Sequence, residues 1–136
     1  MVWQHRIMVH KRQLVAEFTA AARQDVTALM SIDPNHAKEH YQRLIDDSTG
    51  NLKSQITVMS ALMAKQAEDS KVSTNVTVEA AAVESLSDNS GVVLVAAKSD
   101  ATGPDNAKPP AAVWRLSVSL DRDGGQLKMS KFDFLQ

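Results

Sequence analysis

No cysteine occurs in the 136 residues. That absence excludes disulfides, thiolate nucleophiles and sulfur metal sites together, and it leaves the compartment open, because a chain without thiols suits either side of a membrane. An excess of charge of either sign is missing as well. Fifteen basic residues nearly cancel sixteen acidic ones, and both kinds are interspersed in both halves, so the basic face that nucleic acid requires is not there. Long apolar runs are also lacking. None approaches the roughly 20 residues of a spanning helix, and the start, MVWQHRIMVHKRQ, carries charges where a signal peptide has its apolar core. Taken literally, these residues are expected to form one soluble domain, long enough to bury a core without staples.

What is present organises around Ala20–Gly50, where one helix ends, a proline marks a turn and a second helix follows. Leu14, Phe18, Ala22, Val26 and Leu29 recur every three or four residues, while Lys11, Glu17, Arg23 and Asp25 fall largely elsewhere, so the first helix buries one face. It is expected to stop near Ile32. Asp33 is then an N-cap candidate and Pro34 suits a first helical position. The second helix turns Ala37, Tyr41, Leu44 and Ile45 inward, Ser48-Thr49-Gly50 breaks it and caps a third, and the third buries Leu52, Ile56, Met59, Leu62 and Met63.

From Lys71 the period changes from near 3.6 to 2 and turn clusters appear, as expected of a sheet. The first strand places Val76, Val78, Ala80 and Ala82 on one face, with Val83 out of phase, which predicts a bulge or bend near Ala82. After the turn SDNSG, VVLVAAK is apolar on both parities and reads as a central strand. The stretch Ser99–Pro110 reads as a long mobile loop, followed by a strand with Trp114, Leu116, Val118 and Leu120 on one face. Gly124-Gly125 reads as a hairpin turn. In the last strand Leu127 and Met129 differ in parity from Phe132 and Phe134, which predicts a second slip near Ser130-Lys131. The sum is an α+β domain, three N-terminal helices on a curved four-stranded antiparallel sheet, the cone-shaped fold of nuclear transport factor two. Residues 1–12 form a lead-in and 13–136 the domain, with helices over about 13–69 and the sheet over about 71–135.

Candidate chemistry is sparse. His36-Ala37-Lys38-Glu39-His40 fits the H-x-x-E-H pattern of inverted zinc peptidases, but a catalytic zinc needs a third protein ligand and a cleft. The reading is therefore two histidines on a solvated helix face and no metal; calorimetry with zinc is expected to show no tight one-to-one binding. His5 and His10 read as polar positions near an end. Cone-fold enzymes work from Asp, His or Tyr pointing into the cavity, and the predicted wall here has no titratable group. Tyr41 reads as core and Asp133 as a solvent-facing strand residue. Trp114 reads as packed core rather than a ligand stack, and Asn75-Val76-Thr77 as a chance sequon on a buried strand. No catalytic residue, cofactor-binding residue or cofactor is expected. Trp3, Ile7, Met8 and Arg12, in the amphipathic lead-in, are the candidates for a membrane-proximal or partner surface.

The run AARQDVTALMSID, the Ser48-Thr49-Gly50 break, VSTNVTVEAAAVESL, VVLVAAK and VWRLSVSLDRDGGQLKMSKFDF, in this order over nearly the whole chain, resembles the Mce-associated membrane proteins of mycobacteria and related actinobacteria. The resemblance implies an extracytoplasmic domain held to the cell membrane by one spanning helix and supporting a lipid importer of the Mce type. No such helix lies within these residues, so either the chain starts just past the membrane, with Met1 as an added start, or it is a soluble homologue. Two function classes follow: a non-catalytic accessory subunit whose partners are importer subunits or other envelope proteins, and a cone-fold pocket protein or enzyme for a small apolar ligand. A secretion-system-like envelope scaffold is a third reading, by fold analogy.

Overall fold

Helix α1 spans Val2–Met30, so the lead-in is continuous with the helix rather than separate from it. In this computed structural model residues 2–105 and 108–135 are described, with side chains from His10 onward. As the stripe predicts, Phe18, Ala22 and Val26 are buried, with Leu14 and Leu29 packed at the margin. Beyond the helix end, Ile32 exchanges two 2.9 Å backbone hydrogen bonds with Thr74. The carboxylate of Asp33 then accepts the Asn35 N–H at 3.0 Å, and Pro34 opens a single 3-10 turn, Pro34–His36, ahead of α2, Ala37–Asp46.

Helix α3 spans Gly50–Ser70. Thr49 occupies its N-cap position, but makes no capping bond; its hydroxyl donates to Asp123 Oδ2 at 3.0 Å. The break between the helices is instead tied to the sheet, because Met129 N–H donates to Asp47 O (2.8 Å) and Thr49 N–H donates to Met129 O (2.9 Å). Leu52, Ile56 and Ala64 are buried, but Met59 and Leu62, expected inside, are exposed, beside Val58 at 83%. Steps of three residues drift around the axis, so Leu62 sits about 120° from Ile56. A stripe of three-residue steps is therefore wider than the face that α3 buries.

The sheet is a meander in the order β1 (Ser73–Leu86), β2 (Ser90–Thr102), β3 (Ala112–Asp123) and β4 (Gln126–Leu135), antiparallel throughout. Three helices packed on a four-stranded open antiparallel sheet make the α+β fold expected. On the covered face Val93, Val95, Ala97, Leu116, Val118, Leu120 and Met129 are buried against the helices. The β4 slip is where it was predicted: Met129 faces Leu120, Lys131 faces Ser119, and Ser130 is the extra residue. In β1 the expectation near Ala82 is corrected. The irregularities lie between Val78 and Ala80 and between Val83 and Ser85, so the core phase runs Val76, Val78, Ala81, Val83, while Ala80 and Ala82 are exposed. An alanine run gives little apolar contrast to locate a slip. The long loop is also shorter than expected. Ser99–Thr102 belongs to β2 and pairs with Ser73–Val76; part of the remaining connection, Asn106 and Ala107, lies outside the described residues. Gly124 and Gly125, at φ +61° and +83°, form the two-residue β3–β4 turn in a conformation that favours glycine.

Candidate functional site

The covered face of the sheet is where a cone-fold active site would form, and here apolar side chains fill it. Leu116, Val118, Leu120 and Met129 have no exposed surface, and Phe18 of α1 closes over them. Open space lies elsewhere. A groove of about 840 Å³ runs between the C-terminal half of α1, the start of α2 and the start of β1, with Arg23, His36, His40 and Arg43 among its lining residues. A second, about 740 Å³, follows the outer side of α1 and includes Arg12, Val15, Ala20 and Ala81.

The two histidines of the H-x-x-E-H pattern both line the first groove, but in different surroundings. His36 is exposed, with Glu39 at 3.8 Å and Asp33 at 4.0 Å. His40, expected on a solvated face, is half-buried; its ring meets Tyr41 edge-on at 4.9 Å, and its Nε2 is buried without a hydrogen-bond partner. Burial, then the nearby Arg43, lowers its pKa and favours the neutral ring. Among the described residues, no three His, Cys, Asp or Glu side chains converge as metal ligands.

Asp25 is the residue that sequence reasoning missed. Assigned to the polar side of α1, it is 6% exposed, with Oδ2 buried and unpartnered. Burial first, and the Asp47 carboxylate second, raise its pKa from 3.8 to about 7. Asp47 is itself raised, by burial and Asp46, against the attraction of Lys128. A carboxyl poised near neutrality is a familiar mark of acid–base chemistry, but Asp25 lines neither of these grooves, so a substrate has no route to it there. Its place beside Ala22 and Val26 was the available signal: position 25 lies within the arc that the stripe spans.

Tyr41 is buried in the core, and Asp133 is exposed with Lys131 at 3.5 Å. Trp114 departs from expectation. On the covered face beside the buried Ala97, it is 38% exposed, with its indole N–H donating to Ser99 Oγ at 2.7 Å and its ring edge-on to Phe134 at 5.6 Å. Parity gives its face, but not how much of that face the helices cover at its position. Trp114→Ala is therefore expected to cost about 1–2 kcal/mol rather than the value for a fully buried aromatic, read from urea melts; a loss above that range would mean the ring is covered. Asn75 of the sequon is exposed at the groove rim. Of the candidate partner surface, Arg12 is exposed on the α1 groove, and the side chains of Trp3, Ile7 and Met8 lie outside the described residues.

Among the described residues no helix is long and apolar enough to cross a membrane. Residues 1–136 match the family model described as "Uncharacterized protein Rv1363c/MT1408-like". The chain is 44% identical over 135 residues to the "Uncharacterized protein Rv1363c" of Mycobacterium tuberculosis, covering 99% of this chain and 52% of that protein, so it spans about half the length of the relative. Its fold is shared with solved structures. A periplasmic fragment of TraM superposes with a TM-score of 0.67 at 11% identity, covering 88% of this chain and 95% of that one. CagV, a VirB8 homologue of the type IV secretion system from Helicobacter pylori, superposes with a TM-score of 0.69 at 14% identity, covering 89% and 99%.

Proposed function

We propose, from the premise that the chain belongs to the Rv1363c/MT1408-like family, that this domain is a non-catalytic accessory or stabilising subunit of an Mce-type lipid transport complex. It works on the extracytoplasmic side of the cell membrane, anchored by a single spanning helix, and acts through protein contacts. The observation that carries the reading is a contrast in where apolar surface lies. The face where a cone-fold enzyme keeps its site is filled by Leu116, Val118, Leu120 and Met129, while Val58, Met59 and Leu62 of α3 and Trp114 and Phe134 of the sheet are exposed. Apolar side chains left outside a well-filled core suit a partner better than a small ligand. The fold shared with the periplasmic TraM fragment and with CagV supports the envelope setting, the relative supports the mycobacterial one, and the sequence resemblance supplies the Mce assignment.

A second reading, an envelope scaffold of the secretion type, draws on the fold shared with the TraM fragment and CagV. Both are tested in a deletion strain complemented with the membrane-anchored protein. Loss of the protein is expected to lower importer subunit levels and labelled lipid uptake together. Normal levels and uptake would remove the importer role, and co-purification with other envelope proteins would then favour the scaffold.

A further inference from the structure

The two edges of the sheet are protected differently. β1, at one edge, carries two irregularities, at Glu79 and Glu84, and its start is paired to Ile32; bulges and an already paired start block strand addition. On β4, at the other edge, the Asp47–Thr49 segment covers Met129, and the Ser130 irregularity lies next to it. Past that point protection stops. Among the described residues, no backbone group of Lys131–Leu135 bonds outside the β3 ladder, and the run KFDFL contains neither proline nor glycine. Phe134 and Leu135 within it are exposed.

The charges on this edge select its partner. Lys131 and Asp133 stand opposite Ser119 and Ser117, on the face away from the helices, while Phe132 and Phe134 stand opposite Val118 and Leu116 on the covered face. Antiparallel pairing of the run with a copy of itself about Phe132 sets Lys131 against the second copy's Asp133 and Asp133 against its Lys131, a two-fold arrangement in which each contact occurs twice. Moving the axis to Asp133 would bring like carboxylates face to face. Moving it half a residue would set phenyl rings opposite charges. At the near end, the covered Met129 limits the pairing to the residues from Ser130 onward.

We propose that the 136-residue chain forms a two-fold dimer through antiparallel pairing of its β4 edges about Phe132, joining two four-stranded sheets into one. Phe132 of each copy meets its equivalent and extends the edge-on contact it makes with Phe134, at 5.9 Å within one chain. The proposal does not rest on the importer reading and stands whichever envelope partner is found.

Sedimentation velocity over a wide concentration range tests it. The wild-type chain is expected to show a concentration-dependent dimer. Lys131→Asp and Asp133→Lys, each of which places like charges across the pair, are expected to raise the dimer Kd roughly tenfold or more. Mixing the two variants should restore association as a heterodimer, and the double substitution in one chain should restore the homodimer. Both side chains are exposed, so thermal melts taken below the wild-type dimer Kd, where every variant is monomeric, are expected to be unchanged and serve as the folding control. A wild-type chain that stays monomeric, a dimer indifferent to both single substitutions, or failure of the variants to associate when mixed would each overturn the proposal.

Discussion

Replacing Asp25 with Asn is expected to flatten the dependence of stability on pH and to make the domain more stable than the wild type above pH 7. In the folded chain the Asp25 carboxyl is shifted from 3.8 to about 7, whereas in the unfolded chain it returns to its ordinary value. Between these values the native state holds the proton more tightly, so unfolding releases it and stability falls as pH rises. Below about pH 4 both states are protonated and the group contributes no penalty. Above about pH 7 both are ionised and the penalty is complete, on the order of 4 kcal/mol from the size of the shift. This is the reverse of the usual paired carboxylate, because desolvation outweighs any attraction and Asp47 adds repulsion. Asn removes the charge but leaves a buried amide beside the unpartnered Oδ2 position, which returns about 1–3 kcal/mol. Urea melts of both proteins from pH 4 to pH 8 are expected to show the variant gaining steadily on the wild type, with a crossover inside that range. Parallel curves would mean that Asp25 is ionised and solvated in the folded protein.

Asp25 also marks where sequence reading loses its grip on this molecule. Positions with strong apolar contrast were legible. The stripe through Phe18, Ala22 and Val26, the Asp33-Pro34 restart and the alternation Leu116, Val118, Leu120 each give burial and element type correctly, because period and capping are local properties. The Met129 to Phe132 slip was legible for the same reason, since a large apolar residue stands on each side of it. Slips inside Ala80–Ala82 were not, because alanine is tolerated on either face. Trp114 and Leu62 failed differently. Their elements are as expected, but the exposure of Trp114 depends on how far the neighbouring elements cover it, a tertiary fact, and that of Leu62 on how far a stripe drifts around its helix. Asp25 failed because polarity outweighed position: its angle on α1 places it inward, and the fold accepts the cost of a carboxyl that is neutral over much of the accessible pH range. Of the candidate contact surface Arg12 lies on a groove, and the side chains of Trp3, Ile7 and Met8 lie outside the described residues.

The largest single loss of stability is expected where α1 is pinned to the sheet, at Phe18 and Gly91. Phe18 is fully buried, and a Cβ built at Gly91 would lie 2.8 and 2.9 Å from its ring carbons Cδ2 and Cε2 and 3.0 Å from the carbonyl oxygen of Ser85. The glycine is there to let the ring lie on the backbone of β2, where it faces Leu86 on one side and Leu120 on the other. Nearby polar contacts fix the same end of the helix: His10 lies 2.9 Å from Asp88, and Arg122 donates to both carboxylate oxygens of Glu17 at 3.0 and 2.7 Å. These are surface pairs, worth little individually, so at this end of the helix the buried ring is the stronger hold. Phe18→Ala is expected to cost about 3–5 kcal/mol through lost burial and the cavity left behind. Gly91→Ala is expected to cost about 1–3 kcal/mol, because a buried ring with no free side must shift to admit the methyl group. The two effects should couple. In a Phe18→Leu background the smaller side chain makes room, so Gly91→Ala should cost less than it does alone, though not nothing, since the Ser85 carbonyl still stands close. A double-mutant cycle by urea denaturation reads this coupling directly. Strict additivity would mean that Phe18 does not rest on Gly91, and that α1 is held to the sheet by some other contact.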